Sequence, residues 1–189
     1  AFDIAGEKPE TVAKYGANAQ GRQMLIARRL LERGVRFVQV RQGGWDLHGG
    51  IAQRAANNAR QLDPAIGAIM DDLKDRGLFE DTLIYITSEF GRSPTEDGGG
   101  GRSHNARGLS TVLMGGGIKG GIAYGSTDEI GGAAVENKVH VKDIHATVMD
   151  LLGFDHEQLT YRTAGRDFRL TQATRSLPQG GMPVKGIIA

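Results

Sequence analysis

The sequence predicts an α/β protein with a mainly parallel central sheet flanked by helices. Three observations carry that expectation. A β-branched apolar run, a long amphipathic stretch and a second apolar run follow one another, and such alternation favours parallel strands joined by helices. The second run, DTLIYITSEF at 81–90, is nearly continuous in hydrophobicity, as in a strand buried on both faces. Both runs also spill into loops rich in Gly, Asp, His, Glu and Arg, and loops at strand ends are where open α/β sheets place their chemistry.

Taken in order, residues 9–17 read as a helical or irregular lead-in. From Asn18 to Arg33, apolar residues at Met24, Leu25, Leu30 and Leu31 mark a helix that Gly34 closes. VRFVQV, 35–40, is the first strand. A long helix spans about Ile51 to Arg76, with Leu62, Ile66, Ile69, Met70 and Leu73 on one face; Pro64 predicts a kink or break, and Gly77 ends it. Residues 81–90 form the second strand, placed centrally, and LSTVLM, 109–114, the third. The last helix runs from roughly Lys142 to Leu152, closed by Gly153, and the chain after Phe168 is irregular. No linker divides the chain, so 1–189 reads as one domain with an irregular tail over 171–189. Three strands are few for a freestanding sheet. Either the glycine-rich region between 98 and 132 hides more, or the chain is part of a larger domain.

Composition narrows the function classes. With 39% hydrophobic and 24% charged residues the chain belongs with globular proteins, not disordered ones. A net charge of +1 gives no general pull toward nucleic acid, and no apolar run approaches the roughly 20 residues of a membrane span. Cysteine is absent, which removes disulfides and thiolate metal sites. The stretch opens AFDIAGEKPE, with no initiator methionine and no signal peptide, as a processed or trimmed chain would also look.

The chemistry-bearing loops are GGWDLHGG, SEFGRSP and GRSHNARG. They gather Asp46, His48, Glu89 and His104, flanked by Arg92, Arg102 and Arg107. Two carboxylates and two imidazoles suit a divalent cation such as Zn²⁺, Mn²⁺ or Fe²⁺. The arginines suit an anionic substrate, because a guanidinium forks onto sulfate, phosphate or carboxylate oxygens. The two-residue spacing of Asp46 and His48 sets both side chains on one side of an extended segment, as a chelating pair requires. Each residue also has a plainer reading. Asp46 can cap a turn, His48 and His104 can be ordinary loop histidines, and Glu89 can simply pair with Arg92. Trp45 packs under its loop, and His140, His145 and His156 take packing or surface roles.

Three familiar signatures fail on context. GGGIKG at 115–120 has the spacing of a dinucleotide loop, but the following GIAYGSTDEIGG lacks the helical periodicity such a loop opens. No P-loop Gly-Lys-Ser/Thr and no G-x-S-x-G elbow occurs.

In series, GGWDLHGG, RGLFEDTLIYITSEFGRSP, GRSHNARGLSTVLMGGGIKGG and VKDIHATVMDLLGFDHEQLTYRTAGRDF resemble the carboxy-terminal part of a bacterial sulfatase-like family, domain of unknown function 1501. The resemblance runs from about Tyr15 to Leu170. It implies the alkaline phosphatase and sulfatase superfamily: a mixed, mainly parallel sheet, divalent metal at the strand ends, and attack on a sulfate or phosphate ester by an activated hydroxyl. By motif, Asp46 and His48 resemble a pair of metal ligands, and His104 resembles a later ligand histidine. Glu89 stands where many relatives have aspartate, and Phe90 where a second ligand often lies, so one ligand position is lost. Asp143 resembles an aspartate that opens a helix.

The resemblance further implies a metal-dependent hydrolase portion acting on a small-molecule or glycan ester, with zinc, manganese or calcium as cofactor. Arg92 and Arg102 would stabilise the anion and its transition state, the nucleophile would come from an amino-terminal part that precedes this stretch, and the precursor would be exported to the periplasm or cell surface. The alternative is a catalytically degenerate, exported binding module that recognises anionic glycans.

Overall fold

The computed structural model describes residues 1–175 and 178–189; Ser176 and Leu177, within the expected irregular tail, lie outside the described residues. Among the described residues are four α-helices, a short 3₁₀ turn and four two-stranded sheets. The content is mixed α and β, and among the described residues the mainly parallel central sheet flanked by helices is not formed. The chain divides into two compact units, Ala1–Thr82 with Arg92–Asn105, and Leu83–Gly91 with Ala106–Ala189.

The first unit is built from α1 (Pro9–Tyr15), α2 (Ala19–Leu31) and α3 (Ile51–Asp75), which pack on one another, with the strands β2 (Gly91–Glu96) and β3 (Arg102–Asn105) paired beside them. Asn18 caps α2 by accepting from the Gly21 amide at 2.9 Å. At the far end of α2 the Val35 amide reaches the Leu30 carbonyl, and at the end of α3 the Leu78 amide reaches Leu73. Both closures turn on a glycine with positive φ, Gly34 and Gly77, whose left-handed backbone an L-residue resists.

Helix α3 runs through Pro64 without a break. Proline removes one amide donor there, but Ala65, Ala68, Ile69, Asp72 and Leu73, the face at helical spacing, are buried. That buried face lies wholly after the proline, and the turns before it are exposed or half-buried. Tyr15, Leu25 and Leu73 complete the core of the three helices. An ionic lattice ties the helices together: Arg28, 3% exposed, donates to Glu7 at 2.7 Å and Glu32 at 2.8 Å, and Tyr15 donates to Asp72 at 2.9 Å.

The second unit holds β1 (Leu83–Ile86), β4 (Val112–Gly115), β5 (Ser126–Thr127), β6 (Ala134–Glu136), α4 (Val141–Leu151), β7 (Tyr161–Thr163), β8 (Arg166–Phe168) and a 3₁₀ turn at Lys185–Ile187. Asp143 and His140 form a capping box at the start of α4, so the aspartate does open that helix. The tail is fastened to α4: Val184 donates its amide to Thr147 Oγ1 at 2.9 Å and Met182 donates to Asp143 Oδ1 at 2.9 Å.

Two features overturn the parallel sheet. Residues 35–40 make no strand, and Phe37 among them is 76% exposed. β1, expected at the centre of a sheet, is four half-buried residues paired antiparallel with β4, Leu83 opposite Gly115 and Ile86 opposite Val112. A parallel partner needs a long crossover, usually a helix, whereas the chain between β1 and β4 carries only the β2–β3 pairing. Helices α2 and α3, which alternation assigned to the sheet faces, pack on each other and on α1 instead.

Candidate metal centre

The loop before α3 carries Asp46 and His48 on either side of Leu47, which is 2% exposed. The buried leucine faces inward, so its two neighbours project outward together, as the alternation of an extended segment dictates. The loop is moored at two levels. Gln42 donates to the Asn58 carbonyl at 3.1 Å, and Asn58 Nδ2 donates to the Gly44 carbonyl at 2.6 Å. Trp45 is held to its own loop by a side-chain hydrogen bond. It is 37% exposed and its indole N–H donates to Gln42 Oε1 at 3.0 Å.

His104 arrives from β3. The Arg102 amide donates to the Leu47 carbonyl at 3.0 Å, and the amides of Gly50 and Ile51 donate to the carbonyls of Gly99 and Gly100 at 2.9 and 3.1 Å. These bonds clamp the glycine loop between β2 and β3 onto the 46–50 loop. Gly101 sits where no side chain fits, because a Cβ there would lie 2.0 Å from the His48 carbonyl carbon.

Asp46, His48 and His104 each offer a donor atom within 4.8 Å of the other two. Asp46 Oδ1 lies 3.0 Å from His104 Nε2 and 3.1 Å from His48 Nε2, and the two Nε2 atoms are 3.1 Å apart. Ligand bonds of about 2.0–2.2 Å at tetrahedral or octahedral angles place two donors on one ion about 2.8–3.6 Å apart, so the triangle has the size a divalent cation requires. The side chains are open to solvent on the outer side, with Asp46 at 64% and the histidines at 46% and 47% exposure. The donor set, one carboxylate and two imidazoles, is that of metal sites that keep open positions.

The surrounding charges favour the ionised form of Asp46 and the protonated form of His48. Arg92 Nη2 donates to Asp46 Oδ1 at 2.8 Å. That bond, then the one to His104, holds the Asp46 carboxyl at about 2, so it is ionised across the physiological range. His48 Nδ1 lies 2.7 Å from Asp97 Oδ2, and this contact raises the imidazole above its ordinary value. Asp97 is itself lowered, by His48 and then by Ser103.

The other expected site residues fall as follows. Arg92 also reaches the Trp45 carbonyl at 3.3 Å and the Arg102 carbonyl at 3.2 Å, and Arg102 donates to the Gly101 carbonyl at 2.8 Å. Glu89 belongs to the second unit, exposed in the segment after β1. His140 caps α4 and His156 Nδ1 pairs with Thr171 at 2.8 Å. Asp97 was not legible beforehand. It sits in an acidic, glycine-rich turn of ordinary composition, and its only signal was standing next to the glycine run that bends back on the 46–50 loop.

The family described as protein of unknown function (DUF1501) has a sequence model that matches residues 1–179, and the chain belongs to that family. No curated protein and no solved structure matches the chain.

Proposed function

We propose that this member of the DUF1501 family provides a divalent-metal centre, held by Asp46, His48 and His104, to a hydrolase acting on sulfate or phosphate esters outside the cytoplasm. The observation that carries the reading is the triangle of donor atoms, 3.0–3.1 Å on each side, with its outer face open. A bound divalent cation would polarise the ester oxygen and acidify an attacking hydroxyl. The protein's own part is to supply an ionised carboxylate and two imidazoles at fixed separation. Arg92 keeps Asp46 deprotonated and orients it. Its guanidinium, 2.8 Å from Asp46 Oδ1, is also a positive group beside the cluster for an anionic ester.

The second reading, a non-catalytic module that binds anionic glycans, draws on the same arginine and on the ion pairs that the cluster makes by itself. Metal analysis by mass spectrometry, after reconstitution with zinc, manganese or calcium, separates the two. Near-stoichiometric metal that disappears in the Asp46→Ala, His48→Ala double variant supports the metal centre, and sulfate and phosphate esters are then assayed on the full chain. Equal metal content in both proteins, or none in either, refutes it.

A further inference from the structure

We infer that Asp97 is a positioning residue that selects the tautomer of His48 and so turns its Nε2 lone pair toward Asp46 and His104. The role as a support for ligation rests on the proposed metal centre; the tautomer selection does not. Asp97 Oδ2 stands 2.7 Å from His48 Nδ1. An ionised carboxylate can only accept, so the proton of that bond belongs to Nδ1. In the neutral imidazole the proton is then absent from Nε2, the atom that lies 3.1 Å from both Asp46 Oδ1 and His104 Nε2. An imidazole with its proton on Nε2 presents a donor there and must lose or shift that proton before the atom can ligate. A carboxylate on the far nitrogen of a ligating histidine is the usual means of fixing both its ring orientation and its tautomer.

The backbone holds Asp97 in place for this. Its amide donates to the Gly101 carbonyl at 3.1 Å, and the Gly100 amide donates to Glu96 Oε1 at 2.8 Å, closing the turn. The next glycines are the ones clamped onto Gly50 and Ile51. The carboxylate therefore travels with the same loop contact that brings His48 and the β3 histidine together. Stability does not account for the pair. Asp97 is 39% exposed and His48 46% exposed, and ion pairs so open contribute little to folding.

Two measurements on the full chain test this. Long-range ¹H–¹⁵N correlation of the metal-free protein at about pH 8.5, where imidazole is neutral, reads the tautomer directly. Wild type is expected to show His48 protonated on Nδ1, with that preference lost in Asp97→Ala and retained in Asp97→Glu. Zinc affinity, by competition with a chelator, is expected to fall by roughly 10–100-fold in Asp97→Ala and to be largely rescued in Asp97→Glu. Asp97→Asn keeps the size, so it reads the lost charge if the alanine variant folds poorly. An Nδ1–H tautomer that persists in Asp97→Ala and Asp97→Asn overturns the inference, as does zinc affinity equal to wild type in both. If wild type binds no zinc but shows the Asp97-dependent tautomer, the metal centre is refuted while tautomer selection stands.

Discussion

Gly101→Ala isolates the contact on which the cluster depends. The backbone of Gly101 lacks the positive φ of its neighbours Gly98, Gly99 and Gly100, so alanine is conformationally acceptable there. Space is what forbids it. The new Cβ would lie 2.0 Å from the His48 carbonyl carbon, 2.1 Å from its oxygen and 2.4 Å from the Gly49 nitrogen, all backbone atoms with no rotamer to yield. Restoring ordinary contact requires the two loops to part by more than about 1 Å. The bonds between them are then lost: Gly50 to Gly99 at 2.9 Å, Ile51 to Gly100 at 3.1 Å and Arg102 to Leu47 at 3.0 Å. At roughly 0.5–1.5 kcal/mol each, their loss costs about 3 kcal/mol. For a chain of this length that is a fall of about 6–12 °C in Tm. Differential scanning calorimetry reads it, with Gly99→Ala as control. Gly99 has φ +56° but open space around it, so alanine costs only the left-handed penalty of about 1–2 kcal/mol. Zinc affinity of Gly101→Ala should drop together with Tm, because His48 moves away from His104. A Gly101→Ala protein melting within about 2 °C of wild type would refute the reasoning from loop contact to cluster geometry.

Three other outcomes follow from the helical unit. Leu73→Ala, at a side chain with no exposure, should cost about 2–5 kcal/mol by urea denaturation; a value under about 1 kcal/mol would mean that the three-helix core is not packed as described. Tyr15→Phe removes the buried donor to Asp72 while keeping the ring, and should cost about 1 kcal/mol, since Lys14, Arg28 and Arg76 still face that carboxylate. Glu7 gives a pH signature. Burial alone would push its carboxyl up, but the hydrogen bonds from Arg28 and then Arg29 more than offset that and hold it below its ordinary 4.5. Its contribution is therefore present above about 4.5 and fades as pH falls through the depressed value. The Tm gap between wild type and Glu7→Gln should be widest near neutrality and close in acid; a gap that is constant with pH would show that packing, not charge, accounts for it.

What the sequence determined by itself is local. Helix ends are written in neighbouring residues, and Asn18, Gly34, Gly77 and Gly153 mark them because capping and left-handed closure act within a few positions. The projection of Asp46 and His48 to one side is also local, a consequence of two-residue alternation about the buried Leu47. Tertiary structure decided the rest. A run such as 81–90 is apolar whether its partner is parallel or antiparallel, and the return through β2 and β3 made it antiparallel. The same ambiguity let residues 35–40 read as a strand, since β-branched character expresses a fit to neighbouring strands and not a ladder of its own. At Pro64 the break that proline allows did not occur, and the helix continues into its buried half. The meeting of His104 with Asp46 and His48 joins residues 56 and 58 positions apart, and Asp97 stands 49 from His48. Those distances are closed by backbone bonds between two glycine-bearing loops. No periodicity encodes such bonds, because each end sees its partner only once the chain has folded.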